Sequence, residues 1–114
     1  MLTIETLRQL GANTQEGLGR CMNNEAFYLR LVNMALDEPN YGKLEEAVKN
    51  GDKKAAFEAA HALKGVLGNL SLTPLFEAAS EMTELLRAGE DADYPALLAR
   101  ILEQRDALLA ERDQ

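Results

Sequence analysis

The stretch AHALKGVLGNL, residues 60–70, combines a helical pattern of apolar residues with the chain's only histidine and two glycines. On a helical wheel of about 100° per residue, an apolar stripe lies within about 60° of Leu63. The stripe comprises Ala56, Ala59, Ala60, Leu63, Val66, Leu67 and Leu70. This pattern predicts an amphipathic helix whose apolar face packs into a core.

The polar side of the same helix carries the residues that are most informative about function. His61 falls about 160° from the centre of the stripe, so we expect an exposed histidine rather than a core one. Lys64, Gly65 and Gly68 follow it at spacings of three, four and seven residues, which share a helix side. Phe57, one turn before the histidine, lies on the flank of that side.

The two glycines need a physical reason, because a mid-helix glycine costs about 1 kcal/mol relative to alanine. On a solvent-facing side they gain nothing in packing within the domain, but they let the backbone of another molecule approach closely. We therefore expect Gly65 and Gly68, with Phe57 beside them, to form a docking floor for a partner.

Outside this stretch, short interruptions divide the chain into further helices. Asn13 is the expected cap of a short helix, with Glu16 completing a capping box. Asp52 is the expected cap of the histidine helix, and Thr73 caps the next helix with Pro74 at its first position. The other predicted helices span residues 3–10, 23 or 24 to 37, 41–50 and, after an opening segment at 91–95, the C-terminal part of the chain.

Amphipathic helices joined by short loops are typical of an antiparallel up-and-down four-helix bundle. The predicted fold class is therefore all-α. We expect one domain over residues 1–114, with short extra N-terminal helices in residues 1–22 and the bundle in residues 23–112. Pro39 is expected to break or kink the chain within the bundle segment.

Composition narrows the classes of function. The net charge of −7 argues against nucleic-acid binding, which needs a basic surface. Cys21 is the only cysteine, so neither an intramolecular disulfide nor a cysteine metal cluster is expected. The N-terminal segment MLTIETLRQL has no long apolar run, which predicts neither a signal peptide nor a membrane span. We expect a cytoplasmic protein with no membrane insertion.

Histidine can act as a base, a metal ligand or a nucleophile. Only Glu58 lies close to His61 among residues of metal-ligand type, and one histidine with one glutamate makes a poor metal site. No serine or cysteine lies at a spacing that places it beside His61 on the helix, which disfavours acyl transfer. A neutral, exposed imidazole can attack a phosphoryl group that a partner presents, and Lys64 could meet the resulting negative charge.

The segment His61-Ala62-Leu63-Lys64-Gly65, followed by Gly68-Asn69-Leu70, resembles the signature of histidine-containing phosphotransfer (HPt) domains. The run FYLRLVNMALDEPNYGKLEEAVKNGDKKAAFEAAHALKG is similar to the family's region leading into the histidine helix. The run LTPLFEAASEMTELLRAGE is similar to the next bundle helix. The resemblance extends from about Asn23 to Gly89, and the last helix fits by length and pattern only.

The resemblance implies a carrier in multistep two-component signalling. His61 would be the phosphorylated nucleophile, Lys64 would neutralise the phosphoryl charge beside Gly65, and Gly68 would leave clearance for the partner. The implied partners are the receiver domains of response regulators and, as a further candidate, a hybrid histidine kinase. The receiver would supply magnesium and the acidic pocket, so we expect no cofactor and no metal in this chain. Such a chain is not an enzyme acting alone.

An alternative from the same pattern is a receiver-binding bundle that acts by interaction only, without phosphorylation. A degenerate relative of that kind would be expected to have lost the histidine or filled the glycine side, and this chain has done neither. One departure from the family pattern is Ser71, at a position ten residues after the histidine where the family usually has glycine. We expect this departure to alter the local turn and not the chemistry.

Overall fold

The computed structural model describes all residues, 1–114, and contains seven helices and no strand. The helices are α1 (Ile4–Gln9), α2 (Thr14–Arg20), α3 (Glu25–Leu36), α4 (Asn40–Lys49), α5 (Lys53–Asn69), α6 (Thr73–Arg87) and α7 (Tyr94–Arg112). The predicted all-α class is confirmed.

The last four helices form a ring, in which α4 and α6 each pack against both α5 and α7. Short connections make successive helices antiparallel, so the ring is an up-and-down bundle. The segment before Pro39 forms α3, which contacts α7 beside this ring. The Tyr28 hydroxyl on α3 donates to the Leu70 carbonyl at 2.7 Å, beyond the end of α5. The predicted four-helix bundle is thus confirmed.

The apolar stripe of α5 lies in the core, as its helical period predicts. Val66 is partly buried and packs against the core, whereas the other six members are buried: Ala56, Ala59, Ala60, Leu63, Leu67 and Leu70. Removing a leucine side chain from water contributes about 1.5–3 kcal/mol to folding, so this stripe fixes the rotation of α5 about its axis. The opposite side of the helix, with His61, is thereby held toward solvent.

Side-chain caps start several of the helices. The Asp52 carboxylate accepts from the Ala55 amide at 3.0 Å, which confirms the predicted start of α5. Asn13 accepts from the Glu16 amide at 3.1 Å, as predicted. The Glu16 carboxylate does not complete the capping box, because it accepts instead from the Ser71 hydroxyl at 2.8 Å.

The turn between α5 and α6 explains the unusual serine. Ser71 has a φ of 56°, its amide donates to the Gly68 carbonyl, and the Leu72 amide donates to the Leu67 carbonyl. This is the Schellman arrangement, whose left-handed residue is usually glycine. Glycines occupy the corresponding position after α1, α4 and α6, namely Gly11, Gly51 and Gly89. Ser71 therefore occupies a backbone position that favours glycine, while the turn itself is regular.

The same turn corrects the predicted start of α6. Leu72 is the residue before the first helical turn, and Thr73 and Pro74 are already its first two residues. The prediction that Thr73 caps this helix was wrong because the Schellman turn passes directly into α6. The Thr73 hydroxyl donates instead to the Ser71 carbonyl at 3.3 Å.

Candidate functional site

His61 lies at the middle of α5, and its side chain is exposed to solvent as the helical wheel predicts. Its closest aromatic neighbour is Phe57, one turn earlier on the same helix. The two rings are stacked, with centroids 5.6 Å apart and planes inclined by 7°. Phe57 is half-buried, so it gives the imidazole a fixed flank and leaves the other face of the imidazole ring free of aromatic contact.

A neighbouring helix adds charge to this flank. The Arg87 guanidinium of α6 lies over the Phe57 ring, 5.5 Å from its centroid. A guanidinium over an aromatic face is an attractive cation–π contact. Phe57 therefore contacts His61 on its own helix and Arg87 on α6.

Lys64 lies one turn beyond His61, but its ammonium group is already paired. Its Nζ lies 3.4 Å from Glu84 Oε1 on α6, and the Arg87 guanidinium lies 3.7 Å from the same oxygen. Lys64 was predicted from the sequence, whereas Glu84 and Arg87 of α6 were not. Glu84 and Arg87 have the i,i+3 spacing of many surface pairs, so no sequence signal distinguishes them before α6 is packed against α5.

The two glycines behave differently. A Cβ added at Gly65 would meet nothing within 4 Å, so this part of α5 is open. A Cβ added at Gly68 would meet the Phe76 ring of α6 at 3.0 Å. The expectation that Gly68 has no packing role within the domain was therefore wrong, because its missing side chain makes room for Phe76. Its carbonyl also accepts a hydrogen bond from Arg20 of α2 at 2.5 Å.

Outside this surface, the chain offers little that resembles a reaction centre. No group of three or more histidine, cysteine, aspartate and glutamate side chains is placed to hold a metal ion. Cys21 is buried and unbonded to another cysteine. An apolar pocket of about 270 Å³ lies where α1 meets α6 and α7, lined by residues that include Leu7, Pro74 and Leu108. This pocket contains none of the residues around His61.

No helix combines the length and the apolar character needed to cross a membrane.

Comparison with known proteins identifies the family. A family model described as Hpt domain matches residues 38–111, which begin just before α4 and reach almost to the end of α7. The matched segment contains Phe57, His61, Lys64 and the α6 residues that contact them. Searches of curated proteins and of solved structures found no match. The chain therefore belongs to the Hpt domain family, which implies a histidine phosphotransfer role in a phosphorelay.

Proposed function

We propose that this protein carries a phosphoryl group on His61 between the aspartates of receiver domains. The observation that carries the proposal is the position of the imidazole, exposed on the outer side of α5 and beside the open backbone at Gly65. Because residue 65 has no side chain, nothing at this position blocks a receiver from bringing its aspartyl phosphate to the imidazole. We place this phosphoryl transfer in the cytoplasm, where we expect the receiver domains to be located.

The transfer itself is a simple displacement. A lone pair of one imidazole nitrogen forms an N–P bond as the P–O bond to the receiver's aspartate breaks. The aspartate leaves as a carboxylate, and the proton on the other ring nitrogen passes to solvent. The reverse reaction delivers the phosphoryl group to a second receiver. Phosphoryl transfer depends mainly on positioning and charge neutralisation.

The chain's own residues divide these tasks in the proposal. Phe57 holds the imidazole ring by stacking, and Gly65 leaves the approach open. Lys64 meets part of the charge of the bound phosphoryl group, one helical turn away. The receiver supplies the acidic pocket and magnesium, so the chain by itself is a carrier and not a catalyst.

The test is transfer of a radiolabelled phosphoryl group from purified, phosphorylated receiver domains. Wild-type protein is expected to take the label, and His61→Gln is expected to remain unlabelled. Circular dichroism and thermal unfolding show whether the variant is folded, which its exposed position predicts.

Two results would contradict the proposal. Label on the folded His61→Gln variant would move the acceptor to another residue. Wild-type protein that binds receivers yet never takes label would support the interaction-only alternative.

A further inference from the structure

Glu84 is the residue of this surface to which the transfer reaction gives no role. It lies on α6, with Oε1 at 3.4 Å from Lys64 Nζ and at 3.7 Å from an Arg87 guanidinium nitrogen. Its side chain is 54% exposed and that of Lys64 is 28% exposed, so the pair is in contact with solvent. Nothing else in the structure forms an ion pair with Lys64.

Phosphorylation of His61 would place a second anion within reach of the same ammonium group. A protein-bound phosphoryl group carries about two negative charges near neutral pH. Lysine is a compact point charge on a flexible stem, so Lys64 can turn from one partner to the other without a change in α5. Glu84 and the phosphoryl group therefore compete for one cation.

Arg87 reduces the cost of this exchange. It already lies close to Glu84 and is held over the Phe57 ring. When Lys64 turns to the phosphoryl group, Glu84 keeps a positive neighbour and is not left unpaired. A continuous series of contacts thus leads to His61 through the side chains of Lys64, Glu84, Arg87 and Phe57.

We propose that Glu84 is a positioning residue that holds Lys64 away from His61 and so lowers the stability of phosphorylated His61. This inference rests on the proposed function. To bind the phosphoryl group, Lys64 must first break its ion pair with Glu84, and this cost weakens its interaction with the phosphoryl group. His61 therefore passes the phosphoryl group to a receiver more readily. Exposed ion pairs are weak, which limits the effect to about two- to fivefold in the transfer equilibrium.

The experiment measures how a phosphoryl group partitions between a receiver and this protein at equilibrium. Glu84→Gln is expected to raise the ratio of phosphorylated to free His61 by about two- to fivefold. Glu81→Gln is the matched control, since Glu81 lies on the same helix and pairs with Arg100 of α7 and not with Lys64. The control is expected to leave the ratio unchanged.

A second pair of variants separates positioning from a structural effect. In a Lys64→Gln background, adding Glu84→Gln is expected to have no further effect, because the cation for which they compete is gone. The same equilibrium ratio is also approached from the opposite direction, starting from protein whose His61 has been phosphorylated with phosphoramidate. In that reaction the N–P bond of phosphoramidate breaks and ammonia leaves. Thermal unfolding of each variant confirms that the folded state is retained.

The outcomes distinguish this inference from the proposed function. Wild-type protein that exchanges label with a receiver, together with an unchanged ratio in Glu84→Gln, overturns the role of Glu84 alone. An equal rise in Glu84→Gln with and without Lys64 also overturns it, because Glu84 would then act without the lysine. Wild-type protein that exchanges no label overturns both proposals.

Discussion

Gly65 and Gly68 lie on one side of α5, yet only Gly65 is bare. At Gly68 the Phe76 ring occupies the space where a side chain would begin, at 3.0 Å from an added Cβ. At Gly65 no atom lies within 4 Å of that position. Both residues are glycines of the same helix, so the difference arises from what α6 places beside each of them.

The two positions are therefore expected to respond oppositely to substitution. Gly65→Ala should raise the free energy of unfolding by up to about 1 kcal/mol, because alanine is the better helix former and meets no obstacle. Gly68→Leu should lower it by about 1–3 kcal/mol, because the added atoms must displace Phe76. Urea unfolding of both variants checks this. A Gly68→Leu variant as stable as Gly65→Ala would show that Phe76 moves away without cost.

At the scale of one residue, the exposure of His61 could be predicted from the sequence, whereas the partner of Lys64 could not. Its exposure follows from the period of the apolar stripe, because burying one side of a helix orients the other. The pairing of Lys64 with Glu84 does not follow, since it joins two helices across a side-chain distance of 3.4 Å. A helical wheel describes one helix by itself and does not show how the adjacent helix is rotated about its own axis.

At the scale of elements, the joint between α5 and α6 depends on α2. Ser71 closes α5 with a φ of 56°, its carbonyl accepts from the Asn13 amide at 2.9 Å, and its hydroxyl donates to Glu16 at 2.8 Å. The expectation that serine at this position alters the local turn was wrong, because the turn keeps both Schellman hydrogen bonds. The contact with α2 was not predicted, because it pairs residues 55 positions apart.

Substitutions at Ser71 separate backbone strain from the hydrogen bond. Both Ser71→Gly and Ser71→Ala lose the bond to Glu16, but only glycine relieves the left-handed conformation, which costs other residues about 1–2 kcal/mol. Ser71→Gly is therefore expected to be more stable than Ser71→Ala by about 1 kcal/mol, after allowing for the greater unfolded-state entropy of glycine. Chemical denaturation of the two variants measures the difference. Equal stabilities would mean that this turn is not strained.

At the scale of the whole molecule, two buried tyrosines connect helices that are distant in the sequence. Tyr28 fills space beside Gly17 of α2 and bonds to the end of α5, and Tyr41 lies under the Arg105 guanidinium of α7. Burial, which disfavours the phenolate, raises the pKa of Tyr28 to about 12 and the pKa of Tyr41 to about 12. Both phenols are thus held neutral by packing that several helices create together.

The raised pKa values predict loss of stability in alkali. Below the unfolded pKa of 10.0, both states hold the phenol protons and the stability is fully present. Between pH 10.0 and about 12 the unfolded chain releases these protons first, so the free energy of unfolding falls. Urea unfolding from pH 8 to 11 should show this fall, and a Tyr28→Phe, Tyr41→Phe double variant should show a shallower one. Parallel curves would contradict the role of burial.

The sequence by itself determined the helices, the buried stripe of α5 and the outward direction of His61, because a period of apolar residues specifies which side of a helix leaves water. It also carried the motif from His61 to Leu70, since those residues are local to one helix. Only the tertiary structure decided that Phe76 covers Gly68, that Glu84 holds Lys64 and that α2 braces Ser71. These contacts depend on the rotation and offset of one helix against another, which the packing of the complete bundle sets.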